Sequence, residues 1–141
     1  MRRPLRRPLR LGLVLATILP ASAPAARADE CLDRAATQAN MSDCAAKDFT
    51  TADAELNQLY RQMTNRLKDP DGKNRLTASQ RAWLLFRDAE CAFVSAATEG
   101  GSAQPMVHSE CLATVTRKRI GDFRKYLSCE EGDLACPLPP R

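Results

Sequence analysis

Six cysteines constrain this 141-residue chain more than any other feature of its sequence. An even number of cysteines in a short chain is typical of a disulfide framework in an oxidising compartment, and three disulfides are expected. A structural zinc site is disfavoured because there is no CxxC pair and only one histidine. A catalytic thiol is disfavoured because no base is marked beside any cysteine. The cysteines are Cys31, Cys44, Cys91, Cys111, Cys129 and Cys136.

Residues 1–28 have the pattern of a cleaved secretory signal peptide. Five arginines in the first ten residues precede an apolar run from Leu11 to Leu19, and Ala26-Arg27-Ala28 gives a small-x-small pattern ahead of Asp29. The apolar run is too short to span a bilayer, and no lipoprotein cleavage box precedes Cys31. We therefore expect a periplasmic or secreted protein without stable membrane insertion.

Loss of this segment reverses the sign of the charge. The whole chain carries 21 Lys and Arg against 17 Asp and Glu, a formal net charge of +4. Six of the bases and none of the acids lie in residues 1–28, which leaves 15 bases against 17 acids, a net charge of −2. The basic balance therefore belongs to the signal, and no nucleic-acid partner is expected.

A long apolar stripe predicts the first helix. Ser42 is a candidate N-cap for a helix from Asp43 to Lys68, and Asp69-Pro70-Asp71-Gly72 is expected to end it as a turn. Apolar residues recur at alternating spacings of four and three, as one face of a helix requires. They are Ala45, Phe49, Ala52, Leu56, Leu59, Met63 and Leu67.

Two further helices follow. Thr77 is a candidate cap for a helix that runs to about Thr98, and a third helix is expected from about Ser109 to Leu127. No stretch alternates with period two for long enough to form a strand. We predict an all-α fold, a small antiparallel three-helix bundle cross-linked by disulfides, over residues 29–136, with a frayed tail over 137–141. The apolar face of the third helix is Leu112, Val115, Ile120, Phe123 and Leu127.

An up-down-up order of these helices predicts the disulfide pairing. Cys44 would open the first helix at the top and Cys129 would follow the third at the bottom, too far apart to bond. Cys91 and Cys111 would both lie towards the top. The local set follows: Cys31–Cys44, Cys91–Cys111 and Cys129–Cys136.

The segment Gln80–Cys91 concentrates large apolar rings and ion-pairing groups on one predicted helix. Arg87 should lie beside Trp83, one turn further along. A helix with rings and charges side by side is expected to dock into a small protein and not to lie on its surface. The residues predicted to share the docking face are Trp83, Phe86, Glu90 and Phe93.

Three segments resemble the LprI-type lysozyme-inhibitor family. DAELNQLY (Asp53–Tyr60) resembles the family's D-x-x-L-N-x-x-Y element, and LTASQRAWLLFRDAEC (Leu76–Cys91) resembles its L-x-x-x-Q-R-x-W-x-x-[F/Y]-R-D-x-x-C signature. Cys111-Leu112 with Thr116, Arg119, Ile120 and Leu127 resembles its closing element. The resemblance implies a small exported helical domain and suggests inhibition of lysozyme. The name-giving member type is a lipoprotein, whereas this chain lacks the lipid-attachment box.

The polar residues of these motifs allow three interpretations. A half-buried network that fixes helix register, with Asp53 paired to an arginine, is favoured because buried charges must be paired. A binding groove lined by Arg87, Trp83 and Tyr60 is the alternative. A hydrolase that uses Asp53 and Asp88 is least supported, since no apolar pocket is visible to perturb them. The candidate network residues are Asp53, Asn57, Arg81, Trp83, Arg87 and Asp88.

Two loops and one histidine are the candidate contacts with a partner protein. The flexible loop Glu99–Ser102 offers a carboxylate and a hydroxyl that could enter the substrate cleft of a basic lysozyme. The acidic loop between Cys129 and Cys136 is a competing surface. If these features have no role in binding, the first loop simply ends a helix and the second is a solvated tail. His108 is then a solvated loop residue. The candidate binding residues are Glu99, Gly100, Gly101, Ser102, His108, Glu130 and Glu131.

The sequence thus predicts an exported lysozyme-inhibitor-like protein. It would block a muramidase cleft stoichiometrically and without covalent chemistry, cofactor or metal. Its partner would be a lysozyme or another periplasmic protein. The alternative is a periplasmic protein-interaction or envelope-stress module with no inhibitory activity. An enzyme is disfavoured because no nucleophile–base pair, metal cluster or phosphate-binding loop is recognisable.

Overall fold

The computed structural model describes residues 30–130 and 132–139 of the chain. The predicted signal peptide therefore lies outside the described residues. After a short helical segment at residues 30–33 come three long helices, α1 (Gln38–Arg66), α2 (Pro70–Ser95) and α3 (Gln104–Ser128). A 3₁₀ turn, Ala96–Thr98, follows α2. No strand occurs among the described residues, and the all-α fold class is confirmed.

The start of α1 differs from the prediction because two residues can cap it. Thr37 is the N-cap, and its hydroxyl accepts a hydrogen bond from the backbone N–H of Asn40 at 3.2 Å. Ser42, the predicted cap, lies inside the helix and donates to the carbonyl of Gln38 at 3.0 Å. Serine and threonine serve both roles, so composition alone does not separate them.

The segment predicted as a turn after α1 instead opens α2. Asp69 is the N-cap and accepts from the backbone N–H of Gly72 at 2.6 Å, while Pro70 occupies the first helical turn, where its missing N–H costs nothing. A Cβ at position 72 would lie 2.8 Å from the Asp69 carboxylate, so any larger residue there would force the capping carboxylate to shift. Thr77, the predicted cap, bonds back to the carbonyl of Lys73 within the helix. A turn and an N-cap share this residue chemistry, and here the N-cap forms.

The third helix also begins before its predicted start at Ser109. Gln104 opens α3, and Pro105 lies in its first turn. Proline in the first turn is a start signal because its φ is preset for the helix. The prediction treated Pro105 as part of the loop and so placed the start too late.

The contacts between helices define their relative directions. Contacts between α1 and α3 advance in the same direction along both helices, from Asp48 with Arg117 to Glu55 with Arg124. The two helices are therefore parallel. Contacts between α2 and α3 advance in opposite senses, from Gln80 with Arg119 to the Cys91–Cys111 disulfide. The backbone of α1 packs most closely against α3, whereas long side chains bridge α1 and α2.

The core lies between α1, α3 and the C-terminal tail. Most of the predicted α1 stripe is buried, with Phe49 and Leu59 half-buried. On α3, Ile120 and Phe123 are buried as predicted, and Ala113 is buried as well. The central cluster consists of Ala52, Leu56, Met63, Leu67, Ile120, Phe123 and Leu138.

All three predicted disulfides are confirmed. Cys31–Cys44, Cys91–Cys111 and Cys129–Cys136 have Cα–Cα separations of 5.7, 5.5 and 5.8 Å. These separations lie inside the range that a disulfide spans. The first ties the N-terminal segment to α1, the second joins α2 to α3, and the third closes the C-terminal loop.

The described part of the tail packs against the helices through one buried residue, Leu138. Leu138 is only 4% exposed and belongs to the central cluster. The guanidinium of Arg66 donates to the carbonyl of Pro139 at 2.8 Å and to that of Leu127 at 3.0 Å. The tail is held because Leu138 packs into an apolar site beside the Cys129–Cys136 disulfide. The local sequence pattern does not indicate this contact.

The docking face of α2 is rotated from the predicted one. Trp83 is half-buried and Arg87 buried, but Phe86 and Phe93 are 56% and 79% exposed. The buried positions of α2 are Arg87, Cys91 and Ser95, spaced by four residues. Glu90 is exposed. The prediction followed the large rings, whereas the disulfide and the buried arginine set the orientation.

Candidate functional site

The three helices meet at a cluster of alternating arginine and aromatic side chains, here called the arginine–aromatic cluster. The guanidinium of Arg87 lies 5.3 Å from the ring centres of both Phe49 and Trp83. The guanidinium of Arg119 lies 5.8 Å from Trp83 and 4.7 Å from Phe123. Each contact is within cation–π range, so the cluster joins α1, α2 and α3 by stacking as well as burial.

Within this cluster, Arg87 is closely paired with acids. Its guanidinium lies 3.3 Å from Asp53 of α1 and 2.8 Å from Asp88 of α2, and Asn57 donates to Asp53 at 2.8 Å. Arg81 is exposed and forms no ion pair with the described residues. The ion pair fixes the position of α2 along α1, since only one register aligns Arg87 with Asp53.

The geometry around Arg87 suits structure better than ligand binding or catalysis. The side chain of Arg87 is only 10% exposed, and Phe49 and Trp83 contact its guanidinium. Asp53 and Asp88 both serve this one guanidinium, so neither is placed as a free acid or base. Tyr60, the third residue of the alternative groove, instead bonds to Thr77 at 3.1 Å.

The loop Glu99–Ser102, here called the tip loop, connects α2 to α3 and is exposed throughout. Gly100 has φ +76°, a left-handed conformation that favours glycine. The backbone N–H of Gly101 donates to the carbonyl of Thr98 at 3.0 Å, and a Cβ on Gly101 would lie 3.1 Å from that same oxygen. The two glycines therefore give the tip loop a defined shape.

The tip loop leaves polar donors free at its surface. The backbone N–H groups of Gly100 and Ser102 donate no hydrogen bond to the described residues. The hydroxyl of Ser102 is also without a partner among them. Phe93 and Val94, both exposed, lie just before the 3₁₀ turn that leads into the loop. Free donors and an apolar surface therefore occur close together in the chain at this end of the protein.

His108 lies in α3, and it is half-buried. Its Nδ1 is 3.3 Å from the hydroxyl of Ser95 and 3.2 Å from the carbonyl of Cys91. It therefore links the start of α3 to the end of α2 beside the Cys91–Cys111 disulfide. The sequence interpretation of a solvated loop residue is wrong because α3 begins before His108.

The acidic candidates lie at the other end of α3. Glu130 is exposed directly after that helix, and Glu131 lies outside the described residues. Since α3 has 25 residues, about 37 Å of helix separates Glu130 from the tip loop. The structure does not bring the two candidate surfaces together.

The described part of the chain has neither a candidate metal site nor a candidate membrane span. In that part of the chain, no group of three or more His, Cys, Asp or Glu side chains is arranged to hold a metal ion. None of its helices combines the length and the apolar character needed to cross a membrane.

Comparison with known proteins assigns the chain to a family. Residues 29–123 match the family described as "Lysozyme inhibitor LprI". The chain belongs to the LprI lysozyme-inhibitor family. An uncharacterized protein of Rhizobium meliloti (strain 1021) is 33% identical over 110 residues, which cover 70% of this chain and 79% of that protein. No solved structure gives a significant match.

The family match covers the arginine–aromatic cluster and the tip loop. It includes α1, α2 and most of α3, and it ends at Phe123. The C-terminal loop and the tail that packs onto the core lie beyond it. The motif residues of the LprI resemblance therefore include a structural cluster that holds the three helices together.

Proposed function

We propose that this LprI-family protein inhibits a lysozyme-type muramidase by blocking its cleft stoichiometrically and without covalent chemistry. The single observation that carries the proposal is the tip loop, an exposed and conformationally defined projection with free hydrogen-bond donors. Family membership supplies the class of partner. We further propose that residues 1–28 direct export and are removed ahead of Asp29, so that the inhibitor acts in the periplasm or outside the cell.

The chemistry of the tip loop suits a glycosidase cleft. Most glycoside hydrolases place two carboxyl groups on either side of the scissile bond. The N–H groups of Gly100 and Ser102 and the hydroxyl of Ser102 are donors that pair with carboxylate oxygens. Glu99, three residues before Ser102, adds a negative charge that would complement the basic surface around the cleft and not the catalytic carboxyl groups.

The surroundings of the tip loop favour tight binding. The Cys91–Cys111 disulfide and the contacts of His108 anchor the ends of α2 and α3 from which the loop projects. A loop held in its bound shape loses little conformational entropy on binding. Phe93 and Val94 offer exposed apolar area next to it, and such patches on soluble proteins mark interaction sites.

A charge placed on the tip loop tests the proposal. Ser102→Asp puts a carboxylate where the donors would meet the catalytic carboxyl groups. We expect a loss of inhibitory affinity of at least about tenfold, because juxtaposed like charges cost several kcal/mol. The measurement is a turbidity assay of cell-wall lysis by a c-type and a g-type lysozyme, titrated with disulfide-intact protein purified from the periplasm.

Ser128→Asp is the matched control, since it makes the same change at an exposed site at the far end of α3. It should leave inhibition unchanged. Glu130→Gln tests the competing acidic surface, and a larger loss there than in Ser102→Asp would move the contact to that end. The inhibitor proposal would be abandoned if the unaltered protein left both lysozyme classes fully active at micromolar excess.

The second candidate function is a periplasmic interaction or envelope-stress module with no inhibitory activity. The exposed apolar residues Leu85 and Phe86 in the middle of α2 favour it, because they lie away from the tip loop. A protein partner captured from periplasmic extract, released by Phe86→Asp and unaffected by Ser102→Asp, would support this function. Capture that depends on Ser102 alone would argue against it.

A further inference from the structure

A second site lies at the opposite end of α3 from the tip loop. A cavity of about 440 Å³ opens between the end of α1, the first half of α2, the second half of α3 and the C-terminal tail. Its volume is in the range typical of small-molecule sites. Its apolar lining includes the core residues Met63, Leu67, Phe123 and Leu138. No acidic side chain occurs among the described residues that line it.

The polar groups of this cavity form a positive cluster. Arg119 lines it and donates to the hydroxyl of Ser79 at 3.0 Å. Arg75 lies four residues before Ser79 on α2, so both point from the same helix face. The exposed Arg75, the hydroxyl of Ser79 and Arg119 are therefore polar groups of a lining that is otherwise largely apolar.

The side chain of Arg119 is mostly buried and has no close charge compensation. Its side chain is 11% exposed, and its only ion-pair partner among the described residues is Asp122, at 4.0 Å. Arg87 is buried to the same extent, at 10%, but has carboxylates at 2.8 and 3.3 Å. A buried cation is costly unless an anion lies close to it. The cavity beside Arg119 is where such an anion has room.

The cavity also has fixed walls. Phe123 and Trp83 contact the guanidinium of Arg119 and hold it in place. The tail residues Ala135 and Leu138 also line the cavity, and the Cys129–Cys136 disulfide with the bond from Arg66 to Pro139 secures that tail. The cavity is therefore built from packed elements.

We propose that this cavity binds a fatty-acid-like amphiphile, with its carboxylate on Arg119, Arg75 and Ser79 and its alkyl chain along the accessible apolar lining at Leu76 and Pro137. An unbranched alkyl chain suits the rest of the site, because the polar side chains that line the cavity, apart from the hydroxyl of Tyr126, all belong to the positive cluster. A peptide would bring amide groups that the apolar lining leaves unpaired. The site is separate from the tip loop, so the proposal stands or falls independently of muramidase inhibition.

Calorimetric titration of the periplasm-purified protein with decanoate, below its micelle-forming concentration, tests the site. We expect 1:1 binding, at least about tenfold tighter than that of decanol, which has the same chain without the charge. Arg119→Met should weaken decanoate to the level of decanol and leave decanol unchanged. Arg81→Met removes an exposed arginine of α2 that does not line the cavity, and it should change the binding of neither probe.

A variant that fills the cavity provides an independent test in case Arg119→Met does not fold. Ala135→Trp places a large ring at the tail side of the cavity and should abolish binding of both probes, with unchanged helical circular dichroism. Equal affinity for decanoate and decanol, or unaltered decanoate binding in Arg119→Met, would overturn the proposal. So would the absence of decanoate binding, or tighter binding of the dipeptide Leu-Phe than of decanoate.

Discussion

Arg87 and Arg119 both contact the ring of Trp83 and are buried alike, yet their surroundings differ. Arg87 has two carboxylates at ion-pair distance, and the Cys91–Cys111 disulfide lies one turn further along α2. Arg119 has a single carboxylate at 4.0 Å and opens on a cavity. One arginine completes a closed structural contact, and the other leaves its charge available. Burial of a charge therefore does not reveal its role until its partners are counted.

The same contrast holds between the two ends of α3. The tip-loop end carries free donors and exposed apolar residues on a surface loop. The tail end carries a largely apolar cavity lined by two arginines. An exposed loop suits contact with a partner protein, and a cavity suits a small ligand. The protein thus has two candidate sites of different kinds.

Removal of one disulfide at each end should give the largest effects on stability. In the chain-entropy model, Cys91→Ala with Cys111→Ala costs about 3 kcal/mol and Cys129→Ala with Cys136→Ala about 2 kcal/mol, because their sequence separations are 20 and 7. Urea unfolding of the two double variants measures both. A larger loss for the Cys129–Cys136 pair would contradict the expectation that the disulfide at the tip-loop end stabilises the protein more.

Replacement of each arginine by methionine tests the comparison directly. Arg87→Met removes the ion-pair partner of Asp53 and leaves it the hydrogen bond from Asn57. We expect a loss of about 2 kcal/mol, below the cost for a fully buried pair because Asp53 is partly exposed. Arg119→Met keeps apolar contact with Phe123 and removes a poorly compensated charge, so its effect should stay within about 1 kcal/mol. Chemical denaturation measures both, and equal losses would break the comparison.

Thr116 provides the smallest and sharpest test. Its hydroxyl is fully buried on α3 and has no hydrogen-bond partner among the described residues, and Thr116 does not line the cavity. Thr116→Val should therefore raise the free energy of unfolding by about 1 kcal/mol. Thr51→Val, at an exposed site on α1, is the control and should change stability by less than about 0.5 kcal/mol. A destabilised Thr116→Val would show that the hydroxyl is bonded after all.

Local rules predicted the helices better than their ends. The α1 stripe and the three helices follow from periodicity, which each helix carries within its own sequence. The starts were misplaced because Thr37, Asp69 and Pro105 can serve as loop residues or as helix-start residues. The choice between those roles depends on which residues the rest of the protein buries.

The candidate sites were predicted unevenly. The tip loop follows from its two glycines, since a helix break between apolar segments predicts an exposed connection. The cavity could not be predicted, because Arg75, Arg119 and Leu138 come from separate parts of the chain and meet only after packing. No pattern within one segment signals that Arg119 lacks a close anion.

The sequence by itself determined the all-α class, the long helices and the three disulfides, because helical period and cysteine order are properties of the chain. Only the tertiary structure decided which face of α2 is buried, that Leu138 packs into the core, and which arginine of the cluster is neutralised. The physical reason is that the free energy of burial or of an ion pair depends on both partners, and the second partner comes from another part of the chain. A helix can present several faces, and the one it buries is set by the side chains that the other helices bring to meet it.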